Sequence, residues 1–194
     1  MASFTRKAIM EAFLKLLEER PLSKITVKDI VEACGINRNT FYYHFEDIPA
    51  LVEAISREMV DRLIQDGTQI GSLEECLNVA IGFVLRYRRP TLHIYCSANR
   101  DIYERYLMKM CDYVVRRMFD TAFDMSGMSE LDREVLIQGH RCLCFGLFVE
   151  WLDGGLKDDF KASMLRLCEL RRGTLERIVE QAGGKYTGQI QYSV

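Results

Sequence analysis

From Asn37 the chain reads Asn-Arg-Asn-Thr-Phe-Tyr-Tyr-His-Phe45. Arg38, Asn39, Thr40, Tyr42, Tyr43 and His44 are crowded into one short stretch with no acid among them to repel a phosphate. An arginine can hold guanine O6 and N7 together, and an asparagine can pair with adenine. Such a set suits recognition of a nucleic acid. Phe41 and Phe45, four residues apart, fall on one helix face and are expected to anchor the segment to its neighbours.

Other reactive residue types do not fall into a constellation. His93 and His140 have no metal-ligand spacing and read as satisfied interior or surface histidines. Cys142 and Cys144 stand two apart in a helical pattern, about 200° around the axis, so they cannot share a metal and read as small apolar packers. The sequence holds no glycine-rich phosphate loop, no G-x-S-x-G and no H-E-x-x-H, so enzyme chemistry has no support and no cofactor is implied.

The elements that must position the polar stretch are helical. Good helix formers dominate, and only Pro21, Pro49 and Pro90 interrupt them. Phe4, Ala8, Ile9, Ala12, Phe13, Leu16 and Leu17 recur at three- and four-residue steps, predicting a first helix that ends at Pro21. Thr26-Val27-Lys28-Asp29 reads as a capping box for a second helix, Val27 to Cys34, ended by Gly35 with Ile36 turned inward. Asn37 can cap a third, Arg38 to about Phe45. Asp47 caps a fourth, with Pro49 in its first turn, reaching about Asp66.

Beyond Gly71-Ser72, helices are predicted over Leu73–Tyr87, then, after a break at Arg88-Arg89-Pro90, over Thr91–Ser97 and Asp101–Asp124. The capping box Ser129-x-x-Asp132 begins another, ending near Gly154-Gly155, and a last helix runs from Lys157 to Gln181. The tail, 185–194, is expected to be flexible or loosely docked.

Second helix, Gly35 turn and third helix have the layout of a helix-turn-helix, whose second helix lies in the major groove. The segment from Ile25 to Phe45, with its Gly-Ile-x-x-x-Thr-Phe-Tyr-x-His-Phe core, resembles the DNA-binding domain of the TetR/AcrR family of transcriptional regulators; the resemblance covers about residues 5–60. It implies an all-α fold: a helix-turn-helix domain over 1–46 and a ligand-binding and dimerisation domain over 47–184, with the fourth helix connecting them. It makes Thr40, Tyr42 and His44 phosphate-positioning residues, and Arg38, Asn39 and Tyr43 base readers. Thr26 and Lys28 are expected on phosphates near the start of the second helix. The chain departs from the family at Ile48, where members usually carry lysine, at Glu46-Asp47 before it, and at Asn39, where glycine is frequent.

The resemblance further implies a homodimer on a pseudo-palindromic operator and a small apolar or aromatic effector. Residues 129–155 and 157–181 fit the helices that pair across a two-fold axis. Leu143, Gly146, Leu147 and Trp151 are the expected interface, in a helix apolar on nearly all sides that a buried core helix would also explain. Gly139 and Gly146, seven apart, would allow close approach. His93, Tyr95 and Tyr103 are the candidate effector contacts, in a mixture of aromatic and polar groups that suits an ordinary core equally well.

Composition sets the outer bounds. Of 194 residues, 48% are hydrophobic and 28% charged, enough for a sizeable core and incompatible with general disorder. At about 150 residues per domain, one domain or two modest units are allowed. Net charge is −2, although residues 1–46 hold seven Lys or Arg against six acids. Seven cysteines without a C-x-x-C pair point to a reducing, cytoplasmic setting. The start of the chain lacks a signal-peptide pattern, and the apolar run Cys142–Val149 is short of the about 20 residues that cross a bilayer, so no membrane partner is expected. Three functional readings follow: a ligand-responsive DNA-binding regulator, by default a repressor; a relative acting as a protein-binding co-regulator without DNA; or a small-molecule-binding helical protein or enzyme, for which no catalytic constellation is visible.

Overall fold

The structure, a computed structural model, describes residues 2–66, 78, 81–82, 84–157, 159–171 and 173–187. Contacts divide the chain into two compact units, Met1–Asp61 with Tyr87–Tyr106, and Arg62–Arg86 with Leu107–Val194. The unit that holds the helix-turn-helix therefore takes in more than residues 1–46.

In the first unit, α1 (Ala2–Glu19), a 3-10 turn (Leu22–Lys24), α2 (Val27–Cys34), α3 (Arg38–His44) and the beginning of α4 (Ile48–Asp66) enclose one apolar core, joined by α5 (Arg88–Tyr95) and the first turns of α6 (Arg100–Ala122). Ile9, Phe13 and Leu17 from α1, Ile30 from α2, Phe41 from α3 and Leu51, Val52 and Ile55 from α4 are all buried together. Each such side chain contributes about 1.5–3 kcal/mol by leaving water. Phe4, expected on this face, is 79% exposed instead, since the buried stripe of α1 begins further along, at Ile9. Ile48, in place of the family's usual lysine, packs against this core.

Arg88-Arg89-Pro90 does not break the chain, as the sequence suggested, but forms the first turn of α5. A proline is tolerated there because the amide it lacks would have no partner inside the helix. The helix predicted over Leu73–Tyr87 lies mostly outside the described residues; positions 78, 81–82 and 84–86 of it are helical. Gly67 and Gly71-Ser72 also lie outside them.

The second unit is built on the later part of α6, with α7 (Glu130–Asp153), α8 (Phe160–Leu170) and α9 (Thr174–Gln181). Ser129 caps α7, its Oγ accepting from the Asp132 amide at 3.1 Å. Asp112 on α6 accepts from Arg116 at 2.9 Å and from Arg141 of α7 at 3.0 Å, and Arg116 grips Glu134 with two bonds of 3.0 Å. Trp151 of α7 lies flat on Phe160 of α8, ring centroids 4.6 Å apart and planes within 10°.

The single last helix expected over Lys157–Gln181 is two helices. Asp159 caps α8 through the Ala162 amide, and Gly173, at φ 76°, takes a left-handed conformation that ends one helix direction and starts the next. The tail is not loose where it is described. Lys185–Tyr186 pairs antiparallel with Phe123–Asp124 as a two-stranded ribbon, and the Thr187 amide donates to the Ala122 carbonyl at 2.9 Å. Residues 188–194 lie outside the described part.

α7 is long and apolar enough, by length and composition alone, to cross a membrane. The run Cys142–Val149 alone understates it. Arg141, within the same helix, is ion-paired to Asp112, which ties α7 to a neighbouring helix of its own unit.

Candidate nucleic-acid interface

The local chemistry of α2 and α3 sets the site. Thr26 caps α2: its Oγ accepts from the Asp29 amide at 3.3 Å, while Asp29 Oδ2 accepts from the Thr26 amide at 2.8 Å. At the far end Gly35 stands at φ 67°, a left-handed conformation that glycine adopts without a Cβ penalty. Ile36 then donates its amide to the Val31 carbonyl at 3.0 Å and packs inward, which turns the chain toward α3. Asn37 Oδ1 accepts from the Thr40 amide at 2.8 Å and from the Thr40 hydroxyl at 3.0 Å.

The seven residues of α3 have two opposite faces. Phe41 and the flanking Phe45 are buried, their rings 5.9 Å apart, with the Arg6 guanidinium 5.4 Å above Phe45. Tyr42 is 54% exposed and Tyr43 79% exposed, among the large hydrophobic side chains left in solvent within the described residues. Arg38 and Asn39 are exposed, Thr40 and His44 half-buried, and the His44 ring meets Tyr43 edge-on at 5.1 Å. Arg38 forms no ion pair among the described residues. One surface thus presents a guanidinium, a carboxamide and two phenols. Glu46 and Asp47 follow on the surface, and Asp47 is occupied as the cap of α4, accepting from the Ala50 amide at 2.7 Å.

Near the start of α2 the picture is mixed. Lys28 is exposed, 3.7 Å from Glu32, a pairing worth little in water. The Thr26 hydroxyl, expected on a phosphate, spends its proton on Asp29 Oδ2 at 2.6 Å, which leaves Thr26 no side-chain donor in this arrangement. Asp29 also accepts from Arg20 at 3.0 Å, and together these bonds, those from Thr26 foremost, hold its carboxyl down to about 2. Arg20 was not singled out by the sequence. It lies at the corner between α1 and α2, beyond the span of any helical repeat with Asp29.

The other predicted residues fall elsewhere. His93 Nδ1 is 2.7 Å from the Leu17 carbonyl at the end of α1, and Tyr95 is buried beneath Arg100, edge-on to Tyr103 at 6.1 Å. All three lie in the first unit and are engaged with protein, Tyr95 buried and His93 and Tyr103 half-buried. Of the expected interface residues, Leu143 and Gly146 are exposed and Leu147 is half-buried, but Trp151 faces inward onto Phe160. Cys144 is buried and Cys142 exposed, so only the first is a core packer.

Residues 9–55 match the family model for bacterial regulatory proteins, tetR family. The helix-turn-helix domain belongs to the tetR family. The domain is 39% identical over 57 residues to the HTH-type transcriptional regulator EthR of Mycobacterium tuberculosis, covering 29% of this chain and 24% of EthR. It is 31% identical over 62 residues to the class D tetracycline repressor protein of Escherichia coli, covering 32% of this chain and 28% of that protein. The matched part spans about a quarter of the length of these relatives. Likeness of fold extends further than the sequence match. The dihydroxyacetone kinase operon activator DhaS shares it with TM-score 0.66 at 16% identity over 92% of this chain and 96% of its own. The tetR family repressor AlkX from Dietzia sp. strain DQ12-45-1b does so with TM-score 0.52 at 18% identity, over 90% of this chain and 96% of its own.

Proposed function

We propose that this chain is a transcriptional regulator that binds duplex DNA through α3, as a homodimer on a pseudo-palindromic operator. What carries the reading is the outward face of α3, where Tyr42 and Tyr43 stand in solvent beside Arg38 and Asn39 while Phe41 fixes the opposite face in the core. Leaving two large aromatic side chains in water has a cost that contact with a partner removes. In the bound state Arg38, Asn39 and Tyr43 meet base edges in the major groove, and Tyr42, His44 and Lys28 meet the phosphate backbone, joined by Thr40 once its hydroxyl gives up the bond to Asn37 Oδ1.

The pairing of two copies is supported by α7, whose Leu131, Val135, Leu143 and Gly146 lie exposed along its length. Two recognition helices held by one two-fold axis would enter successive major grooves about 34–36 Å apart. A small apolar or aromatic effector that prefers a different spacing of those helices shifts the population away from DNA. Relatives named for tetracycline and for n-alkane biodegradation fit an effector of that class. Repression is the proposed sign, shared with the AlkX and tetracycline repressors, whereas DhaS is an activator.

The test is selection of sheared genomic DNA on the purified protein at moderate salt, repeated with Arg38→Ala. Enrichment of one or a few inverted repeats, with relaxed preference at one base pair of each half-site in the variant, is the expected result. A folded, dimeric protein with no salt-dependent DNA affinity would replace this reading by that of a protein-binding co-regulator.

A further inference from the structure

The first turn of α2 carries an acid, Asp29, one residue from Lys28, on the surface that the proposed function lays along a phosphate backbone. Left alone, that carboxylate would oppose binding: it is ionised at any ordinary pH, and it lies at the helix end that otherwise attracts anions. Asp29 is not left alone. Its Oδ2 takes the amide and hydroxyl of Thr26, and its Oδ1 takes Arg20 Nη2 at 3.0 Å. Arg20 follows α1 directly, its amide bonded to the Leu16 carbonyl at 3.0 Å; its Nε is buried without a partner among the described residues, and Asp29 takes its Nη2.

Resting on the DNA-binding reading above, we infer that Arg20 is a positioning residue of the DNA interface: it cancels the charge of Asp29 so that the start of α2 meets the backbone as a cation, through Lys28. The arithmetic is local. Arg20, Lys28 and Asp29 together carry one positive charge; without Arg20 the turn is neutral, and without Asp29 it holds two. Glu32, 3.7 Å from Lys28, is common to all three states. Thr26 and Asp29 close the helix end, and Arg20 pays the electrostatic cost of having an acid there.

Affinity for a mixed-sequence DNA duplex, measured against salt concentration, tests this without knowledge of the operator. Arg20→Met is expected to bind more weakly, with the slope of log K against log salt shallower by up to about 0.9, one phosphate equivalent. Asp29→Asn, which keeps a cap oxygen, is expected to bind more tightly with a steeper slope. The double variant restores the charge balance and is expected to return the wild-type slope. A purely structural Arg20 would weaken binding through misfolding, and removing Asp29 would not repair it. Wild-type slope in Arg20→Met, or no recovery in the double variant, overturns the inference while the DNA reading stands. If Arg20→Met fails to fold, Asp29→Asn alone decides, and an unsteepened slope overturns it. A wild-type protein with no salt-dependent affinity overturns both.

Discussion

Phe41 and Tyr42 are adjacent in sequence and touch edge to face, ring centroids 5.5 Å apart at 88°, yet Phe41 is fully buried and Tyr42 more than half exposed. One helical step of about 100° separates the residue that holds α3 in place from one left facing solvent.

That division predicts opposite outcomes at neighbouring positions. Phe41→Ala removes a ring from a packed core and is expected to lower stability by about 3–5 kcal/mol, read as a shift of the denaturant midpoint at constant slope. Tyr42→Phe leaves stability within about 0.5 kcal/mol and weakens binding to all DNA sequences alike. A Tyr42→Phe variant that changed base preference instead would move Tyr42 among the base-reading residues.

The turn between α2 and α3 permits a cleaner backbone test. A Cβ added at Gly35 would meet nothing within 4 Å, so space is not the constraint there; φ 67° is. Gly35→Ala is therefore expected to cost about 1 kcal/mol from the left-handed conformation alone. Gly35→Asn should recover part of it, since asparagine tolerates that region. Thermal unfolding of the pair separates backbone strain from packing. Equal losses in the two variants would mean that something other than φ is at stake.

What was legible in the sequence was local. The Thr26–Asp29 box, the Asn37 cap, the Gly35 stop and the inward Phe41 and Phe45 all involve partners within four residues, where helix geometry fixes who meets whom. What was not legible depends on distant partners or on which face finds cover. Arg20 reaches Asp29 around a corner that no periodicity describes. Phe123–Asp124 and Lys185–Tyr186 are too short to alternate, and pair only because the fold brings them together. Gly173 sits inside an uninterrupted apolar pattern that reads as one helix. In α7, apolar nearly all round, spacing could not tell that Trp151 belongs to its own unit while Leu143 faces outward.

The exposed face of α7 gives the proposed dimer its own test. Leu131 and Val135 are 73% and 56% exposed, and Leu143 lies two turns further along. Leu143→Glu puts a charge on that face without disturbing the buried Cys144, Phe148 and Leu152 behind it. Sedimentation is expected to show monomers whose helical signal is unchanged, with operator affinity lost because two half-sites are no longer joined. A Leu143→Glu protein that remained dimeric would place the interface elsewhere.

His140 makes the second unit sensitive to acid. Its Nδ1 lies 2.8 Å from the Leu136 carbonyl, which can only accept, and its Nε2 lies 3.2 Å from Arg171 Nη2, which can only donate. The ring must therefore be neutral with its proton on Nδ1. A second proton, on Nε2, would face the guanidinium. Burial, first, and the charge of Arg171 push the His140 pKa below its usual 6.5, against the opposing pull of the Leu136 bond. Since the unfolded chain then binds the proton more readily, stability is full above about pH 6.5 and falls as pH drops from there toward the lowered folded value. Arg171→Met should raise the pKa without restoring 6.5, because burial is the larger cause. The Cε1 proton shift of His140, followed through pH by NMR in both proteins, checks the order; a folded pKa above 6.5 in the parent protein would reverse the sign and remove this contribution to acid lability.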